Sequence, residues 1–385
     1  MTIIGWIRDL IHPKNFFEAQ RPIITVTFFG GLTPFTLVKH GRGVVLQCTT
    51  FGFFNSFLHT ILFIMCYVIS ISKQESITGY LVNSEISNLG DILQAATGIG
   101  ALLMTFFYSI IKRQNLIDAF NSLAGTDRHF EEIGVQISYK TSLLRNCAVV
   151  IIQFLIQVTY NATCFSIMIS SGLIICGTVW MSFLLPFMMI SMITILFVSL
   201  INQSKYRFYL LNKILVSLHD KKIEKRILLF SGKKDIIEVE KNQKKFWISS
   251  VFPSMQRSTA DVINRVASIH SEICDACDCI EEYFKVQMLT LIAISFVICV
   301  FDLYYILEAI FTDGAVNSLF SKLQLVTFFF YQGLVHIVGV MKIVYVSSLA
   351  ARERAKDREG LHTYKVQKAP NCDERQNTVG KSPKC

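Results

Sequence analysis

The sequence predicts an all-α, polytopic helical membrane protein with six spans and a cytosolic helical anchor region. Three observations carry that class. Hydrophobic residues make up 52% of the chain, with 31 phenylalanines and a mean hydropathy of +0.46, too apolar for a soluble domain. Apolar runs long enough to cross lipid recur along it. Lys and Arg are segregated into alternate connecting segments, the pattern of spans oriented by charge.

Residues 1–50 read as a cytosolic or interfacial segment. They open with the amphipathic TIIGWIRDLIHP, and the apolar ITVTFFGGLTPFTLVKHGRG that follows is interrupted by Gly30-Gly31 and Pro34. Neither stretch reaches the roughly 20 residues needed to span, so a membrane-surface or re-entrant lead-in is expected. The start lacks the basic-then-apolar layout of a cleaved signal peptide, which leaves insertion to the first span.

Spans one to four, within 51–201, are expected at Gly52–Ile71, Leu93–Ile111, Cys147–Ile169 and Ile174–Ile201. Residues 146–201 contain no charged side chain. They are too many for one span, so a hairpin must fall near Ser170-Ser171-Gly172. In the third span Gln153, Gln157 and Asn161 (or Tyr160) lie four apart and form one polar stripe. Hydrogen bonding between helices and a ligand-facing role are both open for it.

Residues 202–285 read as a cytosolic loop carrying amphipathic anchor helices. NQSKYRFYLLNKILVSL continues the fourth span as an amphipathic helix, whereas 219–246 is lysine-rich and expected to be poorly ordered. Apolar residues then recur in steps of three and four at Val262, Val266, Ile269, Ile273, Ala276/Cys277, Ile280 and Phe284, with Glu272, Asp275, Asp278, Glu281 and Glu282 on the other faces. Val266, Ile269, Ile273, Ile280 and Phe284 are the candidate packing residues of this helix, partly between subunits. Cys274 and Cys277 supply half a zinc pair with no matching half in the sequence, so no metal is expected and the thiols are read as packing groups.

Spans five and six fall within 286–346, at Val286–Ile310 and Leu323–Met341. Asp302 and Glu308 are the acids inside the spans. A carboxylate near mid-span costs about 2.5–3.5 kcal/mol, which favours a bundle-facing Asp302 with a partner. His336, on one face with Gln332, is the candidate partner if the two helices are neighbours. Residues 347–385 are polar, of mixed charge and without an apolar run, and read as a disordered cytosolic tail.

Orientation follows from the basic residues. Of 37 Lys and Arg, only Lys73 and Lys322 fall in the segments of one side, which places both termini and the large loop in the cytosol. The net charge of +9 is thereby explained as a topological signal, and no nucleic-acid partner is invoked. The eleven cysteines offer no extracellular pair, so no disulfide is expected. No nucleophile set, metal set or phosphate loop appears, which excludes an enzyme and any cofactor. No internal repeat or pair of broken spans supports a transporter.

FFGGLTPF before the first span, RFYLLNKIL after the fourth, and SIHSEICDACDCIEEYFKVQMLTLIAISFVICVFDLYYILEAIF through the fifth resemble the insect gustatory receptor family of arthropod chemoreceptors. The likeness runs from about Phe28 to Glu353. It implies a plasma-membrane, ligand-gated, cation-permeable channel of four subunits, homomeric or heteromeric, that detects a small molecule. Ligand would sit in the outer half of each bundle, and Gln157, Tyr160, Asn161, Asp302, Tyr305 and Gln332 are the candidate ligand-binding residues. The family's signature of Thr-Tyr, five mostly apolar residues and Gln-Phe belongs in a seventh, pore-lining span. Here Thr363-Tyr364 is followed by the polar KVQKAPN, so that last span is expected to be missing. The alternative reading is a non-conducting isoform that assembles with full-length subunits and modulates them.

Overall fold

The computed structural model describes residues 13–40, 43–73, 85–170, 176–230, 259–311 and 321–368, with the single positions 77, 81 and 172. The amphipathic piece expected in residues 1–12 and the chain beyond Lys368 lie outside them, as do residues 231–246 of the stretch expected to be poorly ordered; its first part, to Phe230, is helical. The elements in order are α1 (Phe16–Phe29), β1 (Phe35–His40), β2 (Gly43–Cys48), α2 (Thr50–Ser72), α3 (Glu85–Ile111), α4 (Arg113–Ile133), α5 (Tyr139–Ser170), α6 (Gly177–Phe230), α7 (Thr259–Phe311) and α8 (Lys322–Lys368). Among the described residues, six helices are long and apolar enough to cross a membrane: α2, α3, α5, α6, α7 and α8. The all-α, polytopic expectation holds, with one small exception.

That exception is a two-stranded antiparallel hairpin in which Phe35 pairs with Cys48 and His40 with Gly43. Its strands, FTLVKH and GVVLQC, are rich in the β-branched and aromatic residues that suit a pleat. The preceding residues form α1, capped by the Asn15 side chain, which accepts from the Glu18 N–H at 2.9 Å. α1 is held in its first half by buried polar contacts. The Asn146 amide donates to the Ala19 carbonyl at 2.8 Å, and the Ser199 hydroxyl donates to Gln20 Oε1 at 3.0 Å. The lead-in is thus a short helix packed on α5 and α6, with a hairpin that packs on that helix and on α4.

α6 is the central element. In its candidate span 71% of the most apolar window is buried, against 17–33% in the other five. The others therefore pack one face on α6 or its neighbours and leave the second face, with Phe54, Phe57, Phe154, Phe296 and Phe330 exposed, to lipid or another chain. The hairpin expected between the third and fourth spans is present. α5 ends at Ser170, and Gly172 takes φ +72°, a left-handed turn that glycine adopts without strain.

One end of the bundle extends into a charged helical domain built from α4, the amino-terminal half of α7 and the ends of α6 and α8. α4 follows α3 almost directly and stops at Gly134, whose φ of +90° allows the Val135 N–H to close back on the Phe130 carbonyl at 2.9 Å. Its apolar face (Leu116, Ala119, Phe120, Leu123, Phe130) is fully buried. Ser122 ties it to α7 by donating to the Glu272 carbonyl at 2.9 Å, and His129 Nε2 lies 3.2 Å from the Glu272 carboxylate. At the centre Arg207 of α6 meets Asp127 of α4 at 2.7 Å, both nearly devoid of solvent contact. Arg207 also donates to Thr126 and Gln203 and lies 4.8 Å from the Phe16 ring centre of α1. Burial pushes the Asp127 carboxyl above its ordinary value, a shift that the adjacent guanidinium opposes.

Two expectations are corrected here. Val266, Ile269, Ile273 and Ile280 are 0% exposed and Phe284 is 1% exposed within a single chain. The stripe faces α4 and α6 of its own molecule, so these side chains are not available to a second subunit. The amphipathic period identified an apolar face but not its covering partner. Secondly, the segment expected to be disordered from residue 347 continues α8 to Lys368. Ala351, Arg352, Ala355 and Lys356 are strong helix formers. Glu353 pairs with Lys356 at 2.9 Å, and its carboxylate accepts from Asn212 of α6 at 3.2 Å. Polarity without an apolar run marked a solvated helix rather than disorder.

Candidate functional site

The six candidate spans enclose a cavity of about 530 Å³, the size of a small-ligand site. It runs from Ile71, Ile92 and Val179, at the end of the bundle away from the charged helical domain, down to Gln287 of α7. On α7 alone the lining extends from Gln287 to Ile298, about 16 Å of helix. Tyr160 comes from α5, Ser182, Phe183 and Phe187 from α6, and Gln332 and His336 from α8. None of the lining side chains is Asp, Glu, Lys or Arg. The wall therefore offers apolar surface and neutral hydrogen-bonding groups, and no fixed counter-ion.

Of the six residues expected to bind ligand, Tyr160 and Gln332 line this cavity. They are joined by a hydrogen bond in which the Tyr160 hydroxyl donates to Gln332 Oε1 at 3.1 Å, linking α5 to α8. The Tyr160 ring sits 4.9 Å from Phe187 and 5.9 Å from Phe183, giving the wall an aromatic surface. Gly98 lets α3 approach it closely, since an added Cβ would stand 2.8 Å from the Tyr67 hydroxyl.

The other four lie outside the lining. Gln157 is buried, and its backbone carbonyl accepts from the Asn161 amide at 2.7 Å, so Asn161 is engaged within its own helix. Of that stripe, Gln153 also makes an interhelical bond, donating to Ser191 of α6 at 3.1 Å. Tyr305 is fully buried in an aromatic cluster, 4.8 Å from Phe329. Asp302 is 2% exposed and faces Gly333 of α8, where an added Cβ would be 3.5 Å from Oδ2. The helices are neighbours, as the proposed His336–Asp302 pair requires, but that pair is not formed. His336 Nδ1 instead lies 3.4 Å from the Ser295 hydroxyl, two turns from Asp302 along α7. Both Asp302 carboxylate oxygens lack a hydrogen-bond partner among the described residues.

Several lining groups escaped the sequence reading: Gln287, Thr290, Thr105, Ser182, Phe183 and Phe187. One of them left a signal. Gln287 continues the buried stripe Ile280, Phe284, Leu291, Ile294 at helical spacing, so an amide stands where the pattern calls for an aliphatic side chain. No such mark distinguishes the two phenylalanines among 31. Among the described residues no three His, Cys, Asp or Glu side chains converge to hold a metal.

Known proteins are similar to this chain over most of its length. The family described as "7tm Chemosensory receptor" matches residues 20–375. "Putative gustatory receptor 28a" of Drosophila melanogaster is 30% identical over 346 residues, which is 87% of this chain and 76% of the relative. "Putative gustatory receptor 28b" of the same organism is 26% identical over 360 residues, covering 92% of this chain and 75% of the relative.

Proposed function

This chain belongs to the 7tm chemosensory receptor family, and we propose that it is a gustatory receptor subunit that binds an uncharged small molecule in the cavity between its six spans and gates a cation conductance. The observation that carries this reading is the cavity itself. Every candidate span contributes to its wall, so an occupant contacts all the helices that would have to move. Its chemistry, aromatic surface with neutral amides and hydroxyls and no ionised group, suits recognition by shape and a few hydrogen bonds. Assembly into a tetramer with copies of itself or with other gustatory receptor subunits belongs to the same proposal.

Recording tests it. Cells expressing this chain alone are expected to give no ligand-evoked current. Cells that also express a second family member, perfused with a library of uncharged small molecules, are expected to show a saturable change in cation current that the second member alone does not give. A ligand-gated current from this chain alone shows that the pore is built from its own six spans, and no effect in either setting overturns the receptor reading.

We also propose a plasma-membrane location with both ends in the cytosol. The near-complete exclusion of Lys and Arg from one side supports it, since basic segments stay on the cytoplasmic face. Tags at either end are expected to bind antibody only after permeabilisation. Labelling of a carboxy-terminal tag in intact cells contradicts the orientation.

A further inference from the structure

One hydroxyl in the cavity wall is left without a partner. Tyr67 of α2 lines the cavity, with its ring 4.7 Å from that of Phe63. Its hydroxyl stands over Gly98 of α3, a buried lining residue, and an added Cβ there would come within 2.8 Å of it. The hydroxyl has no hydrogen bond among the described residues, and unlike the enclosed Tyr283 hydroxyl it keeps accessible surface. Helix pairing gives its height. α3 and α7 run antiparallel, with Ser109 bonded to Gln287 at 2.9 Å and Gly90 against the Tyr305 hydroxyl. Gly98 therefore falls opposite about Ile298, the far end of the α7 lining from Gln287. On α8 that height belongs to Gln332 and His336, since Cys299 Sγ lies 3.8 Å from the Gly333 carbonyl and Ser295 Oγ 3.4 Å from His336 Nδ1. Tyr160 and Gln332 are paired with each other and His336 with Ser295. Tyr67 is thus the lining group at this height whose hydroxyl is open to an occupant.

Resting on the cavity reading above, we infer that Tyr67 is a specificity-determining residue: its O–H donates to an oxygen acceptor on an uncharged ligand whose apolar remainder lies along Phe183 and Phe187. A phenol hydroxyl both donates and accepts, but it is much the stronger as a donor, so a carbonyl, ether or hydroxyl oxygen is the group it selects. A tyrosine hydroxyl shut into an apolar enclosure ordinarily finds a partner. An occupant of the same shape without an oxygen covers this one and leaves it unpaired, which a site built around a hydrogen bond penalises.

Acetophenone and α-methylstyrene test this on the purified full-length chain in detergent, read as the shift in thermal unfolding against probe concentration. The two have one flat shape and differ in a C=O against a C=CH2. Comparing each probe between wild type and variant cancels its partition into detergent. Tyr67→Phe is expected to raise the half-maximal concentration of acetophenone about fivefold, one ordinary hydrogen bond, and to leave that of α-methylstyrene unchanged. Thr97→Val, which removes a hydroxyl bonded to its own helix outside the lining, is expected to move neither. Gly98→Ala, whose Cβ displaces the Tyr67 hydroxyl, is read in the same way if the Phe variant does not fold, and is expected to weaken acetophenone more than α-methylstyrene. Acetophenone equally potent on wild type and Tyr67→Phe, or both probes weakened alike, overturns the assignment to Tyr67 while leaving the cavity as a ligand site. If neither probe shifts the wild-type chain, the cavity reading falls and this inference falls with it.

Discussion

Asp127→Ala is expected to destabilise the folded chain by about 3–5 kcal/mol, a large part of the margin by which a folded domain persists. The reason is the arginine it abandons. Arg207 is shielded from solvent on every side, with the Asp127 carboxylate at 2.7 Å and Thr126 Oγ1 at 3.1 Å from its guanidinium. Deleting the acid leaves a cation buried without a counter-charge at the junction of α1, α4 and α6. The pair is nevertheless a poor net stabiliser, because taking both charges out of water offsets much of their mutual attraction. The double replacement Arg207→Met with Asp127→Leu is therefore expected to recover most of the loss, since two apolar side chains need no desolvation offset. Thermal unfolding followed by size-exclusion chromatography checks both statements. A single variant as stable as wild type, or a double variant no better than the single, contradicts them.

The second large effect concerns the stripe on α7. Ile273→Ala is expected to cost about 2–5 kcal/mol through the cavity it leaves, and Ile273→Asp more, because a carboxylate would be placed among Phe208, Leu211 and Val266 with no partner. Glu281→Ala, on the exposed face about two turns away, is expected to stay within about 0.5 kcal/mol of wild type. The readout is the yield of monodisperse single chains, not only their association, since the stripe closes within one molecule. A charged replacement at Ile273 that leaves each chain folded and blocks only co-precipitation of two tagged copies would restore the intersubunit role that the single-chain packing removes.

Those two sites show what a sequence can reveal and where it stops. The uncharged run from 146 to 201 and the three-four spacing from Val262 to Phe284 are local properties, and each maps onto helices in the structure. What covers a helix face is a tertiary property. Ile273 announces that it is buried but not that α4 of the same chain buries it. The cavity is harder still, because it is defined by absent atoms. Asp302 drew attention through its charge, yet its neighbours place it against Gly333 behind the wall. Tyr160 and Gln332 were found because polar groups within spans are conspicuous. Gln287 carried the same mark but sits at the boundary of its apolar run, where an amide looks like an ordinary helix-end residue. The segment after Ala351 was misread for a different reason. Helix propensity is expressed there without an apolar stripe, and the segment is held through Asn212 and Glu353.

The central claim is that the activating molecule sits between the six spans. A structure of the full chain determined with an agonist from the perfusion library tests it most directly. Ligand density is expected within the cavity bounded by Tyr160, Phe187, Gln287 and His336. Density confined to the outer surface of the bundle or to a contact between subunits, with this cavity unchanged, would contradict the account.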